Sequence, residues 1–140
     1  PIAARDLGDL GASVIKVEPP TGDMLRGGVK DGLPGMFLAV NRNKKSVVLD
    51  LGTAGGQTEF QKLLRGADVL IHNMRSDAAK KNGIDEATVR AVKSDIIYAH
   101  VSGFGETGPR AGQRSYDPII QALSGLASIQ ADTSGRPHIV

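Results

Sequence analysis

The stretch Val47 to Ile71, VVLDLGTAGGQTEFQKLLRGADVLI, decides the fold class. Val47, Val48 and Leu49 form a short apolar run suited to a strand. Thr53 to Arg65 then places Phe60, Leu63 and Leu64 on one helical face, Gly66 marks its stop, and Val69, Leu70 and Ile71 resume as another strand. Strand, helix and strand in that order predict a right-handed crossover between parallel strands.

On the N-terminal side, Ile2, Ala3, Leu7 and Leu10 recur at helical spacing and Gly11 follows as a helix end. Ser13 to Val17 reads as a strand ending in Glu18, and Pro19-Pro20 with Thr21-Gly22 ends it in a loop. Gly22 to Gly35 is rich in glycine and charge and reads as a long excursion. On the C-terminal side, Asp85 and Glu86 ahead of Val89 and Val92 predict a capped helix, and Ile96 to Val101 predicts a fourth strand. After a glycine-rich loop, Asp117 is expected as an N-cap with Pro118 at the first helical position and Ile119, Ile120 and Leu123 on the buried face. The strands are continuous apolar runs, so helices are expected on both faces of an open parallel sheet, an α/β fold. Ligands of such sheets sit beyond the carboxyl ends of the strands, here Glu18, Leu49 to Leu51, His72 to Met74 and Ser102 to Gly105.

Composition narrows the function classes. With 140 residues, 40% apolar and 23% charged, the chain suits one globular domain. It has no Cys, which excludes disulfides, thiolate zinc sites and cysteine nucleophiles and fits a reducing, cytoplasmic compartment. No apolar run approaches the ~18 residues of a membrane span, and the first residues lack signal-peptide order, so no membrane partner is expected. The pI is near 9.1, but the basic residues are dispersed and two Tyr and three Phe offer little base stacking, which argues against a nucleic-acid partner.

Gly103 to Gly108, GFGETG, fits G-x-G-x-x-G after a strand, yet Pro109 and Gly112 postpone any helix to about Asp117, so the pyrophosphate-binding helix start is missing. A glycine loop beside some other ligand fits better. Asn41 to Lys45, NRNKK, suits either a solvated strand start or phosphate groups. His72 and His100 are assigned to packing or a satisfied hydrogen bond, and His138 to a polar terminal stretch. No histidine pair has metal-ligand spacing, and Ser102 and Ser115 have no base implied nearby. Asp117 is most simply a cap. The Asn73 amide suits a ligand's polar backbone and a turn equally well.

Four segments carry a resemblance: LGDLGASVIKVEPPTGD (Leu7 to Asp23), NRNKKSVVLDL (Asn41 to Leu51), ADVLIHN (Ala67 to Asn73) and SGFGETGPRAGQRSYDPIIQALSG (Ser102 to Gly125). In this order and spacing the chain resembles the family III CoA-transferases, the group containing formyl-CoA transferase, carnitine CoA-transferase and 2-methylacyl-CoA racemase. The glycine loop then corresponds to that family's SGFGxxGP loop. The resemblance implies a Rossmann-like CoA-binding domain in an interlocked homodimer, with coenzyme A as substrate and no tightly bound cofactor. It implies CoA contacts at Leu49, Asn73, Met74, Lys81 and Arg114. Met74 stands where the family often has an aromatic residue, Lys81 where it has an arginine, and Pro19 where a basic residue sometimes occurs; lysine keeps the charge without arginine's planar fork.

The family's reaction begins with attack of an aspartate carboxylate on an acyl-CoA thioester. By the resemblance that aspartate falls just beyond Val140 and the first strand falls before Pro1, so residues 1–140 are expected to be an internal piece of a longer enzyme, inactive alone. Tyr116 stands where racemase members carry a histidine, and a phenol is a poor proton shuttle near neutral pH. Tyr116 is therefore expected to pack against substrate, with Asp117 auxiliary or a cap, and CoA transfer is expected over racemisation. A racemase, or a CoA-binding module without catalysis, remains the alternative.

Overall fold

The computed structural model describes residues 1–27, 32 and 34–139. Positions 28–31 and 33 of the excursion predicted between Gly22 and Gly35 lie outside the described residues. Helix α1, Ile2–Asp9, leads into strand β1, Val14–Glu18. A 3-10 turn at Met24–Arg26 and helix α2, Gly35–Asn41, precede strand β2, Lys44–Val48. Helix α3, Ala54–Arg65, then strand β3, Val69–His72, follow as the sequence predicts. Helices α4, Ser76–Lys81, and α5, Glu86–Val92, lead to strand β4, Ile97–His100. Helices α6, Asp117–Leu123, and α7, Leu126–Ile129, complete the order.

The strands hydrogen-bond as two parallel pairs, β1 with β2 and β3 with β4. The expected crossover through α3 therefore joins one pair to the other, while each ladder is closed by its own helical connection, α2 in the first and α4 with α5 in the second. The β1–β2 register, Val14 opposite Lys44 through Glu18 opposite Val48, begins β2 three residues ahead of the predicted Val47. Backbone pairing extends a strand past its apolar run. It also divides the NRNKK segment: Asn41 ends α2, and Asn43, at φ +61, turns the chain into β2. Arg42 grips Asp9 with Nε at 3.1 Å and Nη2 at 2.5 Å, and Lys44 Nζ donates to the carbonyls of Val40 and Pro1. Two of its three cations thus have partners within the chain.

One further expectation is corrected. Asp117 is not the N-cap of α6; Tyr116 holds that position without a side-chain cap bond, and the Asp117 carboxylate accepts from Gln121 Nε2 at 2.5 Å within the helix. Ile15, Val48 and Ile97 on the paired strands remain exposed.

Phe60, Leu64, Ala79, Ile84, Val89 and Ile96 form the buried core, drawn from α3, α4, α5 and their connections. Burying a large apolar side chain of this kind is worth about 1.5–3 kcal/mol. Phe60 and Leu64, four apart, stack along one face of α3 as the periodicity requires. Val17, Leu49 and Leu51 from the ends of β1 and β2 pack on the same cluster as Leu70 and Tyr98 from β3 and β4, so one core joins both strand pairs. Thr53 Oγ1 caps α3 by accepting from Gly56 N, and Asp85 caps α5 by accepting from Thr88 N.

Candidate functional site

The carboxyl ends of β1, β2 and β3 converge on a cleft of about 140 Å³ lined by Val17, Glu18, Pro19, Leu49, Asp50, Leu51, Met74 and Asn82. This is the position that a parallel sheet offers a ligand. A cavity of this size admits one portion of a cofactor-sized molecule, whose binding pockets occupy roughly 300–1,000 Å³.

Glu18 closes one wall of the cleft and is buried, 2% exposed. Its carboxylate accepts a forked pair from Arg26 Nε and Nη2, both at 2.7 Å, together with Ser46 Oγ at 2.7 Å and the Asp23 backbone N–H at 3.1 Å. The Arg26 guanidinium beside it, aided by Ser46 and the Asp23 amide, outweighs the cost of burial and holds the carboxyl down at about 2. Arg26 lies over the Phe37 ring with its guanidinium carbon 4.1 Å from the centroid, and Lys16 pairs with Asp23. These contacts hold the chain that leaves β1 against β2 and α2.

His72 and His100 are register partners at the last positions of β3 and β4, so their rings stack at 4.5 Å with an interplanar angle of 13°. His72 Nε2 is 2.6 Å from the Tyr98 hydroxyl, and its Nδ1 accepts from Met74 N at 3.2 Å. His100 Nε2 lies 2.8 Å from the Met74 carbonyl. Its Nδ1 is 2.8 Å from Glu106 Oε1, at ion-pair distance but off the line of a ring N–H hydrogen bond. Glu106 Oε1 also accepts from Ser76 Oγ at 3.0 Å. Burial, and after it the neighbouring His100, holds the His72 imidazole below the ordinary histidine range. Beside this network lies a second hollow of about 170 Å³ lined by Ser76, Ala79, Lys80, Asp85, Tyr98 and Glu106.

The glycine loop after β4 opens no helix before Asp117, as the sequence predicts. Ser102 Oγ accepts from Gly105 N at 3.0 Å, a turn role. The two limbs of the loop meet at Gly103, where a Cβ would fall 2.0 Å from Ser115 Oγ and 2.5 Å from Ser115 Cβ. Gly103→Ala is expected to force the Ser115 limb outward at a cost of about 1–3 kcal/mol. Trypsin cleavage after Arg110 and Arg114 should accelerate, and an unchanged cleavage rate would mean that the limbs are not tied there.

Among the residues singled out from sequence, Leu49 and Met74 line one cleft, and exposed Asn73 adjoins Met74 in the chain. Lys81 ends α4 and adjoins Asn82, a cleft residue. Arg114 and Tyr116 are exposed on the returning limb of the glycine loop and line neither hollow. Sequence reasoning missed Tyr98 and Glu106 as neighbours of the histidines, and Ser76 as a partner of Glu106. Their signal is the pairing of β3 with β4, which no local spacing carries. Among the described residues no group of three or more His, Cys, Asp or Glu is arranged to hold a metal ion, and no helix is long and apolar enough to cross a membrane.

The sequence matches CoA-transferase family III over residues 1–140. The chain belongs to this family. It is 37% identical to the succinate–glutarate CoA-transferase of Agrobacterium fabrum, covering 98% of this chain and 37% of that protein. It is 39% identical to the acetyl-CoA:oxalate CoA-transferase of Acetobacter aceti, covering 98% of this chain and 36% of that protein. A crystal structure of a CAIB/BAIF family protein from Brucella suis superposes with a TM-score of 0.91 at 34% identity, covering 99% of this chain and 39% of that one. The chain thus spans well under half the length of these relatives.

Proposed function

We propose that the protein carrying this chain is an acyl-CoA transferase that moves CoA from an acyl-CoA donor to a carboxylic acid acceptor, and that residues 1–140 supply part of its CoA-binding region. The observation that carries this reading is the family match over the whole chain, and the convergence of Leu49 and Met74 on one strand-end cleft supports it. The two parallel pairs would belong to one open Rossmann-like sheet with helices on both faces. The shared packing of Val17, Leu49, Leu70 and Tyr98 on one core favours this. Coenzyme A enters and leaves as a substrate, without a tightly bound cofactor, in a cytoplasmic, interlocked homodimer with no nucleic-acid or membrane partner.

The chemistry requires a carboxylate nucleophile. It attacks the thioester carbonyl, giving a mixed anhydride and CoA thiolate; the thiolate re-attacks the enzyme acyl carbon, releases the first acid and leaves an aspartyl-CoA thioester for the acceptor carboxylate. Three carboxylates near the strand ends or the loop are already engaged: Glu18 with Arg26, Glu106 with Ser76 and His100, and Asp117 with Gln121. By the family resemblance the nucleophilic aspartate lies outside residues 1–140, so residues 1–140 alone should not transfer CoA. Tyr116, 74% exposed, is available to pack against the acyl or carboxylate portion.

Lys81 and Arg114 would hold CoA phosphates, and among the described residues neither has an ion-pair partner within the chain. Removing a charge-assisted contact costs about 1.5–3 kcal/mol, roughly tenfold to a hundredfold in affinity. Lys81→Ala and Arg114→Ala in the intact protein should each weaken CoA binding by that factor in calorimetry, while NAD should not bind. CoA affinity unchanged in both variants, or a micromolar NAD isotherm, would overturn the assignment.

A further inference from the structure

We propose that His72 and His100 are a pair of positioning residues that set the backbone of Met74 for coenzyme binding, His72 through a bare Nδ1 and His100 through a protonated Nε2. The proposal rests on the reading of Asn73 and Met74 as CoA contacts. The two histidines grip opposite polar groups of one residue: His72 Nδ1 takes the Met74 N–H and His100 Nε2 takes the Met74 carbonyl. A residue just past a strand end has lost its ladder partners, and these two bonds replace them.

The hydrogen-bond inventory assigns the protons. An amide N–H can only donate, so His72 Nδ1 is bare and Nε2 carries the proton toward Tyr98. The Tyr98 hydroxyl in turn donates to the Ile84 carbonyl at 3.0 Å. The Met74 carbonyl can only accept, so His100 Nε2 carries a proton. Burial, and after it the His100 ring stacked at 4.5 Å, disfavours a charge on His72.

The groups facing the pair are Tyr98 from β4 and Glu106 from the glycine loop, with Asp85 and Lys80 farther off around the adjoining hollow. Glu106 extends the device, since it binds Ser76 at the start of α4, the helix that ends in Lys81. Met74, the glycine loop and the Lys81 helix are thus referenced to one stacked pair.

Asn and Gln amides imitate the two ring nitrogens separately, Asn the Nδ1 position and Gln the Nε2 position. In the intact protein His72→Asn retains an acceptor for the Met74 N–H and His72→Gln does not; His100→Gln retains a donor for the Met74 carbonyl and His100→Asn does not. His72→Gln and His100→Asn are expected to weaken CoA binding about threefold to tenfold more than their respective counterparts, the effect of one neutral hydrogen bond. Nitrogen NMR of the wild type near neutral pH should find His72 protonated on Nε2 with Nδ1 bare, and His100 carrying a proton on Nε2. CoA binding with equal affinities within each pair of variants, or a bare His100 Nε2, overturns the pair and leaves the CoA reading standing. A wild type that does not bind CoA overturns the CoA reading itself, and the positioning role falls with it.

Discussion

Glu18→Ala is expected to lower stability by about 3 kcal/mol, the lower end for breaking a buried ion pair by removing one partner. The carboxylate is 2% exposed and accepts four hydrogen bonds, so its loss strands Ser46 and the Asp23 amide as well as Arg26. The Arg26 side chain is 34% exposed, so water recovers part of its charge and the cost stays at the lower end. The pH dependence follows from the depressed pKa. A carboxyl held at about 2 against an ordinary 4.5 contributes its stability fully above pH 4.5 and loses it as the pH falls toward 2. Urea unfolding of the wild type should show a falling midpoint across that window, and Glu18→Gln should flatten that component. Parallel acid profiles for the two proteins would mean that the Glu18 charge is not what the fold depends on.

Neighbouring glycines at the start of α3 should respond in opposite directions to alanine. A Cβ on Gly56 would lie 1.9 Å from the Asp50 carbonyl oxygen and 2.5 Å from its carbon, both backbone atoms. The turn cannot move aside freely, because the same carbonyl accepts from Thr53 N and Thr53 Oγ1, and Thr53 is the cap that accepts from Gly56 N. Overpacking against side chains costs about 1–3 kcal/mol, and against a fixed carbonyl the cost belongs at or above the top of that range. Asp50 lines the cleft with Leu49, so the displacement reaches the site as well. Gly55, one residue earlier, has nothing within 4 Å of its Cβ direction. There alanine should gain about 0.5–1 kcal/mol through helix propensity. Thermal melts of the two variants of the intact protein decide the matter: a Gly56→Ala melting temperature at or above that of Gly55→Ala would contradict this packing.

Helix α3 was legible because Phe60 and Leu64 are one turn apart and the helix is long enough to show its period. Helix α2 was not: Gly35 to Val40 is nearly all apolar or small, without polar punctuation, and Phe37 and Val40 are buried by contacts that the sequence does not display. Helix α4 escaped for the opposite reason, since SDAAKK has only Ala79 to bury. At the site, the glycine loop and the strand-end positions of Leu49, Asn73 and Met74 were readable, because an apolar run followed by polar residues marks where a strand leaves a sheet.

The chain by itself determined its class, the order of its strands and the places where a ligand would meet strand ends, since those depend on residues within a few positions of one another. It also carried the four segments that identify the family, so the glycine loop was separated from a dinucleotide site before any geometry was known. Tertiary structure alone decided the partners. Division into two parallel pairs, the burial of Glu18 beneath Arg26 and Ser46, and the stacking of His72 on His100 each depend on strand register or on contacts between elements. The side-chain period of a strand is two, so a shift of one residue would turn His100 to the other face and dissolve its contact with His72. Pairing energy summed over both strands sets that register, and no single stretch of the sequence contains it.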